Sequence, residues 1–212
     1  MFRRIVHLLV GQSLYGAGCA LVVAAGLGVD PWTVLAQGIS VHTGIGIGWV
    51  TNIVGLAVML FWIPLRQRPG VGTITNILIV GTVMQLVLAV LPPTDALTVR
   101  VAFLAGGVLT VAVASGLYLG AAFGAGPRDG LMTGLRSRLG WPIWLARGSV
   151  ELTVLGIGWV LGGNVGIGTV VFAAAIGPLV HVMMPLLAIR GAADPRRRTV
   201  SAGGTAASPS RA

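Results

Sequence analysis

The sequence predicts an all-α membrane protein: six transmembrane helices, arranged as two inverted three-helix repeats, each with a short non-spanning helix. Three observations lead there. The chain of 212 residues is 55% hydrophobic and 9% charged, where soluble domains carry about 25% charged residues. Its apolar residues come in blocks of roughly 20, the length that crosses a bilayer core of about 30 Å. Shifted by 96 residues, the chain also matches itself without a gap, mainly at Gly, Pro and Thr.

The first apolar block, 5–27, follows Met1-Phe2-Arg3-Arg4. It is longer than a signal-peptide core and lacks a clear cleavage motif, so it reads as the first span. Cys19, the one cysteine, lies inside it. It has no partner for a disulfide and reads as a small buried apolar residue. Five further spans are expected at 46–65, 72–92, 101–123, 141–162 and 168–189. The segments 31–43 and 127–139 would each be only about 20 Å long as helices, too short to cross. They are expected to lie at the interface or to dip in and return. Residues 1–96 form the first repeat and 97–190 the second. Residues 191–212, with Asp194-Pro195-Arg196-Arg197-Arg198, form an expected disordered cytoplasmic tail.

The self-match pairs Gly28 and Pro31 with Gly124 and Pro127, and Leu35 and Gly38 with Leu131 and Gly134. It pairs Gly44 with Gly140, and Gly70-Val-Gly72-Thr73 with Gly166-Ile-Gly168-Thr169. Upstream it pairs Arg4 with Arg100. These residue types set backbone shape, so the likeness is structural. All fourteen basic residues are Arg, and the formal charge is +9. The arginines cluster at the ends of apolar blocks, which marks membrane orientation rather than a nucleic-acid surface. Arg3 and Arg4, then Arg66 and Arg68, then Arg128, Arg136 and Arg138, and lastly Arg190 to Arg198 fall on one side of a six-span chain, the cytoplasm. Three spans per repeat make the second enter from the opposite face. The Gly28–Pro31 turn is then expected outside and the Gly124–Pro127 turn inside. Secondary transporters are often built this way, with the solute site near the midplane.

At these junctions the chain resembles the bacterial YczE-like membrane proteins, related to the wider YitT group. The residues that carry this are Gly124-Ala-Gly-Pro-Arg-Asp-Gly-Leu-Met132, then Arg147 and Glu151, then Leu161-Gly-Gly-Asn-Val-Gly-Ile-Gly-Thr169. A weaker copy is Gly28-Val-Asp-Pro-Trp32 with Gly70-Val-Gly-Thr73. The resemblance covers about residues 4–190. It implies a plasma-membrane protein of bacterial type and supplies no agreed solute.

Several residues are candidates for chemistry. Gly124, Gly126 and Pro127 suit a broken-helix turn, as do Gly28 and Pro31. Arg128 and Asp129 either belong to that turn alone or face a solute path. Arg147 and Glu151 lie four apart on one helix face, about 9 and 15 Å from Trp141 along the axis. Each charge at that depth costs roughly 3 kcal/mol, so they should pair or face an aqueous cavity. They act as a structural ion pair or in solute or proton binding. The turns Gly70-x-Gly72-Thr73 and Gly166-x-Gly168-Thr169 read as packing and capping devices, with anion binding as the functional alternative. His181 is either a packed hydrogen bonder or a proton relay, and Asn52 ties helices together or lines a path. No Cys or His cluster has metal-ligand spacing.

Ser115-Gly116 in span four and His181 in span six are similar to intramembrane serine proteases. Val113 and Met184 stand where that pattern wants Gly, so no enzyme is expected. The function expected is a small-solute secondary transporter or permease. The alternative is a non-transporting accessory protein that organises or stabilises a partner. Expected partners are the lipid bilayer and a small anionic or zwitterionic solute, with a second copy or an accessory protein as further candidates. No nucleic acid, cofactor or metal is expected.

Overall fold

A computed structural model describes residues 1–124 and 126–187. The expected tail, 191–212, lies outside the described residues. The described part is helical throughout, with no strand. Helix α1 (Phe2–Ala25) ends on Gly26, whose left-handed φ of 63° a side chain would resist. The short α2 (Pro31–Thr43) begins at Asp30, which caps it, with Pro31 in the first turn, and ends on left-handed Gly44. Helix α3 (Ile47–Leu60) runs on through Phe61 into α4 (Trp62–Leu65). The break fits Pro64, whose ring opposes the carbonyl of Leu60 one turn back. Helix α5 (Val71–Val90) and α6 (Leu97–Gly120) complete the first group and open the second. The short α7 (Pro127–Leu139) repeats α2, with Pro127 first and left-handed Gly140 last. Helices α8 (Ile143–Val160) and α9 (Ile167–Leu187) follow.

Among the described residues, six helical stretches have the length and composition to cross a bilayer: Phe2–Ala25, Ile47–Leu65, Val71–Val90, Leu97–Gly120, Ile143–Val160 and Ile167–Leu187. They are the six spans read from the sequence. Their outer faces expose Leu56, Leu78, Leu86, Ile157 and Val170, which only a lipid environment makes favourable. The expected short segments, 31–43 and 127–139, are α2 and α7 to the residue.

Helices α1 and α6 form the antiparallel centre. Gly11 and Gly18 on α1 and Gly107 on α6 leave no room for a side chain against the facing helix, the close approach that small residues permit in membranes. Cys19, Ala20, Val22, Leu104, Val108 and Val111 fill the core between them. Helix α5 packs on α1 and α9 on α6; α2 lies against α8 and α3, and α7 against α8 and α3. Many contacts recur 96 residues apart. Gly72 N donates to Phe123 O at 3.1 Å, and Gly168 N to Leu27 O at 2.7 Å. Thr73 Oγ1 accepts from Gly70 N at 3.2 Å and Thr169 Oγ1 from Gly166 N at 3.3 Å, so each Thr closes the turn that opens its helix. The largest departure is that α3 packs closely along α5, whereas α8 makes little contact with α9.

Candidate functional site

Asp30 is held as the cap of α2. Its carboxylate accepts from Thr33 N at 3.3 Å and from the Thr33 hydroxyl. Arg128, the second residue of α7, reaches it: Nη1 lies 3.4 Å from Asp30 Oδ1, with the side chains 25% and 7% exposed. The guanidinium also lies over the Trp32 ring, 5.1 Å from its centre, a cation–π contact. Burial disfavours the charged guanidinium, but Asp30 foremost, together with Tyr15, Cys19 and Asp129, outweighs that, so the Arg128 pKa is raised. Asp129 Oδ2 accepts from Tyr118 OH at 3.0 Å. Tyr118 stands edge-on to Tyr15, with ring centres 6.0 Å apart. Helix α7 is fixed from its other side: Trp62 Nε1 donates to Pro127 O at 3.1 Å, and the Trp62 ring fills the space beside Gly130.

The N-terminal ends of α2 and α7 therefore meet. Each carries partial positive charge from unpaired amides, and together with Arg128 they oppose Asp30 and Asp129. The sequence reading placed the Gly28–Pro31 and Gly124–Pro127 turns on opposite faces. Both turns run inward from their ends of the bundle, far enough that Asp30 and Arg128 touch. A turn rich in Gly leaves the wall of the bundle easily where its backbone can cross another backbone. Gly28 lies against Gly166, and Gly124 against Gly70.

Two cavities flank this contact. The larger, about 410 Å³, reaches Asp30, Arg128, Arg147 and Glu151. The smaller, about 70 Å³, reaches Asn52, Asn76, Arg128 and Asp129. Arg147 Nε donates to Glu151 Oε1 at 2.9 Å, and the two side chains are 52% and 31% exposed. They pair with each other, and not with Asp129, Asn52 or His181. Asn52 Nδ2 donates to Thr82 Oγ1 at 3.0 Å, tying α3 to α5. His181 is exposed and lines neither of these cavities, so it does not join the others. Ser115 Oγ donates to Val111 O at 2.7 Å.

Sequence reasoning missed Asp30, Trp32, Tyr15 and Tyr118. A signal for the first two was present. The positions 96 away from Arg128 and Asp30 are Trp32 and Gly126, so each repeat carries what the other lacks.

The helices, their apolar faces and the buried charged centre define an all-α integral membrane protein. The chain belongs to the family of unknown function DUF6198, which it matches over residues 2–185. It is 42% identical over 187 residues to an "Uncharacterized protein" of Haemophilus influenzae, covering 88% of this chain and 86% of the relative. It is 29% identical over 185 residues to the "Uncharacterized membrane protein YczE" of Bacillus subtilis, covering 87% and 83%. It is 26% identical over 182 residues to the "Uncharacterized protein YyaS" of the same organism, covering 84% and 90%. The resemblance read from the motifs is borne out. No solved structure matches the chain.

Proposed function

We propose that the protein is a small-solute secondary transporter of the plasma membrane, built from two inverted repeats, with both termini cytoplasmic. The observation that carries this is the meeting of α2 and α7. Two helices too short to cross bring their N-terminal ends, with Asp30 and Arg128, to an interior cavity of about 410 Å³. Broken helices whose positive ends face a cavity are the recurrent solute site of inverted-repeat transporters. Arg128 offers a guanidinium fork to a carboxylate or phosphate, and Asp30 and Asp129 suit an ammonium, so the solute is a small anion or zwitterion. The inverted repeat is supported by contacts that exchange partners under the 96-residue shift, Gly72 with Phe123 and Gly168 with Leu27. Energy would come from an ion gradient or from a separate subunit, the chain having no nucleotide-binding motif.

Uptake and efflux in reconstituted vesicles, against a panel of anionic and zwitterionic metabolites, tests this. At least one solute should move and should be lost with Arg128→Gln. A folded, reconstituted protein that moves none of the panel under proton or sodium gradients would overturn the reading. A requirement for a co-purifying protein would instead support an accessory role.

A further inference from the structure

The two cavities are counterparts. Thr51, Gly55, Asn76 and Gly81 line the small one; Arg147, Glu151, Phe172 and Gly177, each 96 residues on, line the large one. Both end on Tyr15, Trp32, Tyr118 and Arg128. Yet they measure about 70 and about 410 Å³. Elsewhere the equivalent contacts agree. Arg4 Nε donates to Ala121 O at 2.9 Å and Arg100 Nε to Ala25 O at 2.7 Å, and the backbone pairs at Gly72 and Gly168 agree in the same way. The difference is concentrated where α3 packs on α5 and α8 stands off α9. A side chain at Gly81 would strike Gly48 O and Asn52, while Gly177 faces open space.

We infer that the two cavities are half-channels of one pathway, the α3–α5 half closed and the α8–α9 half open, and that they exchange. In the other state α8 closes on α9 while α3 parts from α5. The Asp30–Arg128 pair with Trp32 forms the barrier between them. This rests on the transporter reading and adds the moving parts to it. Packed seams have discrete arrangements rather than a continuum, and one sequence repeat already adopts the closed one. Gly177 is to the second seam what Gly81 is to the first. Arg147 and Glu151 replace Thr51 and Gly55, so the second half carries a charged pair that stays in water while it is open.

Full-length protein in nanodiscs, with Cys19→Ala, exposes both faces to a small charged thiol reagent. Val80→Cys reports on the closed half and Ile176→Cys, its counterpart, on the open half. Ile176→Cys should react at least about tenfold faster, since a minor state is commonly populated at about 0.1–10%. Gly177→Trp occupies open space, so the protein should fold, but it keeps α8 from closing on α9. It should slow the residual labelling of Val80→Cys at least about tenfold, because that labelling requires the exchanged state. Gly81→Trp, where it folds, should reverse the order of the two reporters. An unchanged Val80→Cys rate in a Gly177→Trp protein that elutes like its parent would overturn the exchange. So would a folded Gly81→Trp protein with the original order. These labelling outcomes need no solute, so a failure of uptake in vesicles strikes the transporter reading separately.

Discussion

Arg4 and Arg100 close the central helix pair from its two ends. Arg4 donates from Nε and Nη2 to Ala121 O and Ala122 O, at 2.9 and 3.1 Å. Arg100 donates in the same way to Ala25 O and Gly26 O, at 2.7 and 2.8 Å. The acceptors are the unpaired carbonyls at the ends of α6 and α1, where the helix dipole also favours a cation.

Removing either fork should therefore loosen the centre. Hydrogen bonds to charged groups contribute about 1.5–3 kcal/mol. Arg100→Gln should lower the thermal midpoint of the detergent-solubilised protein, and Arg100→Lys should recover only part, lacking the fork. Thermal unfolding monitored by light scattering gives the comparison; equal midpoints for all three proteins would contradict it.

Asp30 does two jobs that two substitutions separate. Asp30→Ala removes the cap of α2, worth about 1 kcal/mol, and also leaves Arg128 unpaired. Asp30→Asn keeps the cap and only unpairs Arg128. Breaking a fully buried pair costs about 3–5 kcal/mol, and the 25% exposure of Arg128 reduces that. Folded yield should rank parent, then Asp30→Asn, then Asp30→Ala. Adding Arg128→Gln to Asp30→Asn should restore yield and abolish uptake. A double variant no better folded than Asp30→Asn would show that the pair is not coupled.

Arg147 and Glu151 sit four apart, half in the large cavity. Exposed pairs contribute about 0.2–1 kcal/mol, so stability is not their main role. Glu151→Gln should lower folded yield modestly by stranding Arg147. Arg147→Met with Glu151→Met should fold and fail to transport. Full uptake by that double variant would remove both residues from the path.

The inverted arrangement has a direct chemical test. Pro69 and Val165, 96 residues apart and both exposed, should lie on opposite faces. In a Cys19→Ala background, Pro69→Cys and Val165→Cys in intact cells should differ in labelling by an impermeant thiol reagent. Labelling of both from outside would refute the inversion.

Much of the fold was legible because membrane helices carry their own signals. The bounds of α2 and α7 fell out of Pro31 and Pro127 at one end and Gly44 and Gly140 at the other, with φ of 71° and 69°. The turns closed by Thr73 and Thr169 follow the same local grammar. The site was less legible. Asp30 and Arg128 are 98 residues apart, and their contact depends on both turns diving inward, which no local pattern states. Arg4 and Arg100 were matched by the shift, yet their partners lie across the centre. His181 looked interior because a polar residue in a span is costly, but it is exposed and lines neither cavity.

The crossed bonds also bear on how the chain comes together during synthesis. Gly72 N awaits Phe123 O, and Arg4 awaits Ala121 and Ala122, so the first ninety-odd residues emerge from the ribosome with their closing partners still unmade. Each half is an incomplete lock that only the other half turns. A gene cut in the loop between Val90 and Leu97 should therefore yield two fragments that are degraded apart and recovered as a complex when made together.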